Sequence, residues 1–124
     1  MKRDMDVVRK IILAAAYLPY GDTLNELDGV PEDVFVLHVI WLKEAGLVVA
    51  SAQAGSGSEA KYAIVDRLTW DGCEFADAVI DDGLWKKAKT SVLRPGISFT
   101  FDVLKEWLKA EIVNGFPTIK SVGG

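Results

Sequence analysis

His38 and Cys73 are the only histidine and the only cysteine in the 124 residues, so acid-base, nucleophilic or soft-metal chemistry would have to start from them. A general base works with a second positioned group, and nothing near His38 in sequence supplies a nucleophile together with an orienting partner. The expected role is a partly buried helix histidine. Cys73 shares a predicted helix side with Trp70, Ala76 and Ile80, where a small buried thiol is ordinary. One histidine and one cysteine cannot assemble a zinc site, which takes several such ligands. Asp77, Asp81 and Asp82 offer carboxylate oxygens to a hard cation, but no glycine-containing calcium loop surrounds them and a solvated helix end is expected. Gly55-Ser56-Gly57 has the composition of a phosphate cradle. The chain beyond it is strand-like, however, and the lysine spacing of a P-loop is missing. No catalytic, cofactor-binding or metal-ligating residue is assigned, no small-molecule substrate is identified, and a non-enzymatic protein is expected.

The elements that carry these residues can be read from apolar spacing and helix punctuation. Met5, Val8, Ile12 and Ala15 predict a first helix between Asp4 and Leu18, with Asp4 or Asp6 as its cap and Pro19 beyond its end. Tyr20 to Gly29 is a polar connection in which Thr23 to Leu27 suits either a short strand or one helical turn. Pro31 opens a second helix, Glu32 and Asp33 face the positive end of its dipole, and Gly46 ends it. Leu47 to Ala52 and Lys61 to Val65 predict two strands of a hairpin with a flexible tip at Ala54 to Ser58. A third helix starts at Thr69 and runs to about Asp82, and a shorter one spans Leu84 to Ser91, broken at Arg94-Pro95-Gly96. The last helix is capped by Thr100, with Phe101, Leu104, Leu108 and Ile112 in one stripe, Trp107 beside it, and a frayed tail at Ser121 to Gly124.

Helix, short connection, helix, hairpin, helix is the order of a winged helix with an abbreviated helix-turn-helix. The expected class is therefore mainly α with a small β-hairpin wing (α+β), a winged-helix-like domain with appended C-terminal helices. Residues 1–82 form the expected core, and 83–124 an extension packing on that core or on a partner within one compact domain. A 13.5 kDa chain with 50% hydrophobic and 26% charged residues is globular and of single-domain size. A net charge of −4 opposes general attraction to nucleic acid or anionic membrane. Charges interrupt any signal-type apolar run at the start, no apolar run is long enough to span a bilayer, and a lone cysteine fits a reducing compartment. A cytoplasmic protein without membrane association is expected.

Three segments together resemble a family of small bacterial and prophage-encoded proteins of unknown function. They are Met1-Lys2-Arg3-Asp4-Met5-Asp6-Val7-Val8-Arg9-Lys10-Ile11-Ile12, the junction His38-Val39-Ile40-Trp41-Leu42-Lys43-Glu44-Ala45-Gly46-Leu47-Val48-Val49, and Leu68-Thr69-Trp70-Asp71-Gly72-Cys73-Glu74-Phe75. Members of that family commonly open with the Lys-Arg-Asp-Met-Asp block, and the similarity runs from Met1 to about Ile112. The resemblance implies the fold, a bacterial or phage origin and a cytoplasmic location. It assigns no functional residue.

In a winged helix the second long helix reads bases through cationic, amide or hydroxyl side chains. At ~100° per residue, Phe35, His38, Val39 and Leu42 take the core side here. The outward side carries Asp33, Val36, Leu37, Ile40 and Glu44, with Trp41 at its margin. One lysine, Lys43, stands against Glu32, Asp33 and Glu44, so duplex reading by this helix is disfavoured. An apolar face of this kind marks an interface unless it is covered. Two coverings are open: the appended helices with Trp85, Phe99, Phe101, Leu104 and Trp107, or a second copy in a two-fold dimer. Val36, Leu37, Ile40, Trp41, Leu104 and Trp107 are therefore the candidate interface or covered face for a protein partner. Under the alternative of a DNA-binding regulator, Lys2, Arg3, Arg9, Lys10, Lys61 and Arg67 would meet phosphates without reading bases.

Overall fold

The computed structural model describes residues 1–55, 61–93 and 100–115. The expected tip from Ser56, the break at Arg94-Pro95-Gly96, Phe99 and the tail at Ser121 to Gly124 lie outside the described residues. The molecule is α+β and mostly helical, with five helices and a two-stranded antiparallel hairpin among the described residues. It divides into two compact units, Met1–Ala76 and Asp77–Gly124.

In the first unit, α1 (Met5–Ala16) starts at Asp4, whose carboxylate accepts from the N–H groups of Asp6 and Val7 and satisfies orphan donors of the first turn. Its buried side is broader than the expected stripe: Val7, Val8, Ile11, Ile12 and Ala15 are buried, while Met5 is half-buried. The connection resolves as strand-like at a single point. Leu24 exchanges both main-chain hydrogen bonds with Val65, at 2.9 and 2.8 Å.

Helix α2 (Glu32–Glu44) has Pro31 as its N-cap, one position before the first turn in which the sequence places it, and the Pro31 carbonyl accepts from Phe35 N–H. Its other end is a Schellman turn: Gly46 N–H donates to Lys43 O and Leu47 N–H to Leu42 O, both at 3.0 Å. Gly46 has φ +76°, which explains glycine at this position. Leu47 is turned directly into the core and the chain enters β1 (Val48–Gln53), paired to β2 (Tyr62–Leu68). A bulge between Val49 and Ala50 leaves Asp66 as the extra residue of β2. Beyond it the strands alternate strictly: Ala50, Ala63 and Val65 face the core, and Ser51, Tyr62 and Ile64 face out.

Helix α3 (Trp70–Val79) begins at Thr69, whose hydroxyl accepts from Gly72 N–H and donates to Gly46 O at 2.6 Å. Its buried residues are Gly72, Phe75, Ala76 and Val79, which corrects the expected stripe: Ala76 is buried as expected, but Trp70, Cys73 and Ile80 are exposed. Gly72 decides this. A Cβ there would overlap the Leu47 carbonyl oxygen and sit 3.1 Å from Leu68 Cβ, so α3 lies against the strand entrance along its glycine side.

In the second unit, α4 (Asp82–Ser91) is capped by Asp81, whose carboxylate accepts from Leu84 N–H at 2.7 Å. It packs against α5 (Phe101–Gly115), where Thr100 Oγ1 accepts from Val103 N–H. Trp85, Ala88, Leu104 and Leu108 are buried, and Lys87 Nζ meets Glu111 Oε2 at 2.6 Å.

Candidate interaction surface

The chemistry available to α2 is set by its histidine. His38 is wholly buried, further in than the partly buried position expected for it. Nδ1 lies 2.7 Å from Val34 O, and Nε2 accepts from Asp4 N–H at 2.9 Å. A carbonyl can only accept and an N–H can only donate, so the ring is the neutral tautomer with its proton on Nδ1. Neither nitrogen is left to take or give a substrate proton. The ring also meets Trp41 edge-on, with centroids 5.0 Å apart. His38 thus ties the start of α1 to α2. That contact spans 34 residues and no local pattern signals it.

The remaining reactive candidates fall at structural or exposed positions. Cys73 is exposed, not buried as expected. Asp81 is committed to its cap. Among the described residues no three histidine, cysteine, aspartate or glutamate side chains converge as a metal site. No helix of the described residues is long and apolar enough to cross a membrane.

Helix α2 has two distinct sides. Phe35, His38, Val39 and Leu42 form the buried one. Val36, placed outward by the helical wheel, is also buried, at 3% exposure. It lines a groove of about 370 Å³ with Phe35, Leu27, Val30, Lys61 and the β2 residues Tyr62 to Ile64. The outward side therefore narrows to Leu37, Ile40 and Trp41, all half-buried, bordered by exposed Asp33, Lys43 and Glu44. In the second unit Leu104 is fully buried, Trp107 is half-buried, and Val103 and Val113 are exposed.

Of the candidate phosphate contacts, Lys2, Arg3, Lys10, Lys61 and Arg67 are exposed and Arg9 is half-buried. Arg3 and Arg9 are already engaged within the chain, and Arg67 Nη1 donates to Leu68 O at 3.1 Å. The groove beside β2 is the feature that sequence reasoning missed. Its only signal was the strand-or-turn ambiguity of Thr23 to Leu27.

Residues 2–98 match the family described as "Hypothetical protein (DUF2513)". The chain belongs to that family. A protein of Haemophilus influenzae, described as an uncharacterized protein, is 27% identical over 114 residues, covering 86% of this chain and 91% of that protein. No solved structure matches. The DUF2513 match includes the Asp4 cap, all of α2 and the Thr69-to-Gly72 start of α3, so the contacts of His38, Gly46 and Gly72 lie within the family region.

Proposed function

We propose that this DUF2513 protein is a non-enzymatic interaction or regulatory module of bacterial or prophage origin, cytoplasmic, built on a winged-helix-like scaffold and acting by protein-protein contact. The observation that carries the reading is the outward side of α2. Leu37, Ile40 and Trp41 remain part-exposed there, and carboxylates outnumber cations on the helix. Such a side is poor at meeting phosphates and well suited to an apolar partner surface. Support for the scaffold is the Leu24–Val65 bridge, which sets a third strand-like position beside the hairpin, where a winged helix has its first strand. Support for the non-enzymatic reading is the full use of both His38 ring nitrogens by main-chain groups.

Partner contact is assigned to the Leu37, Ile40 and Trp41 side of α2 in the first unit and, separately, to the Trp107 region of α5 in the second, and the simplest occupant is a second copy related by a two-fold axis. The test is Ile40→Glu and Trp107→Ala, each read by sedimentation velocity and thermal melting. The parent is expected to self-associate and Ile40→Glu to sediment as a folded monomer. If both variants are as folded and as self-associated as the parent, the interface is wrong.

A further inference from the structure

The edge of β2 opposite β1 carries a main-chain site. Val65 gives both its N–H and its C=O to Leu24, so these groups point away from β1. In an antiparallel ladder alternate residues point their main-chain groups to the same side, so Ala63 presents its N–H and C=O on that side too. A continued ladder would set Glu26 opposite Ala63. Instead the chain leaves the sheet after Leu24, and Leu27 O accepts from Val30 N–H to close a turn. Among the described residues no main-chain hydrogen bond to Ala63 is formed from that side. The space left is the groove of about 370 Å³, with Leu27, Val30, Phe35 and Val36 along its apolar wall, Glu26 and Glu32 beside them, and Lys61, just before β2, also in its lining.

We infer that this groove accepts one short extended peptide segment of a partner protein, which adds a strand to β2 at Ala63. The site is distinct from the Leu37, Ile40 and Trp41 side of α2 proposed for self-association. Strand addition supplies affinity through the Ala63 N–H and C=O and specificity through the side chain set opposite Ala63. That side chain shares the face of Ala63 and enters the apolar wall, so it is aliphatic. Two carboxylates against one lysine select a basic flank. A second β2 edge is the poorer occupant. A second copy's β2 would bring its own Leu27–Val30 turn against this one, whereas a single short segment carries no such turn. Exposed Lys61, just before β2, also opposes flat edge-to-edge pairing.

The test uses a displayed library of random short peptides selected on the whole protein, then synthesis of the enriched peptide in plain form and with alternate backbone nitrogens methylated. Expected are apolar residues at alternate positions with lysine or arginine flanks, slowed exchange of the Ala63 amide on binding, and loss of binding for the methylated form. Ala63→Pro removes an N–H that β1 does not use and is expected to weaken binding by about three- to tenfold. Leu27→Glu, on a half-exposed wall residue, is expected to do the same and serves should the proline variant melt early. No enrichment over an unrelated domain, acidic flanks, or equal affinity for parent and both variants would overturn the inference. So would a dimer that Ala63→Pro dissociates while no peptide is enriched, which would assign the edge to a second copy.

Discussion

At the scale of single residues, the side chain most suggestive of catalysis turns out to hold the fold together. His38 accepts the main-chain N–H of Asp4 on one nitrogen and meets Val34 O with the other. His38→Phe keeps a ring in the site but abolishes both bonds. Leaving a part-buried donor unpaired costs about 1–3 kcal/mol, so the unfolding midpoint falls and the Asp4 amide loses its protection from exchange. A variant with unchanged midpoint and unchanged Asp4 protection would remove the structural role assigned to the ring. That His38 lies on the core side of its helix was legible from the spacing of Phe35, Val39 and Leu42. Its partner was not, because a hydrogen bond between residues 4 and 38 depends on how two helices meet and leaves no trace in local periodicity.

At the scale of elements, α3 separates what apolar spacing can decide from what it cannot. Trp70, Cys73, Ala76 and Ile80 make one plausible stripe, while Phe75, Ala76 and Val79 make another a step away, with Ala76 common to both. A helix apolar on both sides gives the period no preference. The tie is broken by Gly72, where absence of a side chain permits close backbone approach to Leu47. A glycine inside a helix was the available signal, since it costs ~1 kcal/mol against alanine and persists for a packing reason. Gly72→Ala therefore has opposite expected signs under the two stripes. On an outward side it would stabilise by ~1 kcal/mol through propensity. Against the Leu47 carbonyl it must shift the helix and destabilise by about 1–3 kcal/mol or more. Chemical denaturation decides the sign, and a more stable variant would refute the packing. The α2 terminus was legible for the contrasting reason that a Schellman turn is local: Gly46 at positive φ and Leu47 folding back onto Leu42 are all within one turn.

At the scale of the whole molecule, charge limits what a nucleic acid could gain from this surface. The chain carries −4, and of the six cations nominated for phosphate contact Arg3, Arg9 and Arg67 already have partners within the chain. Three exposed lysines remain, Lys2, Lys10 and Lys61. Each phosphate neutralised adds about −0.9 to the slope of log affinity against log salt, so a duplex complex should show a slope no steeper than about −3. Raising salt from ~50 to ~200 mM would then weaken binding by only about forty-fold, from a starting affinity already lowered by the repulsion between phosphates and an acidic protein. Lys61→Gln should make that slope shallower by about one unit, because a single contact is lost. Gel retardation of genomic fragments across a salt series measures all three quantities. A slope much steeper than about −3, with selective retention of one fragment, would mean that the arginines leave their intramolecular partners to meet DNA. The α2 side would then be a covered structural surface, and the molecule a DNA-binding regulator acting through its hairpin and N-terminal cations.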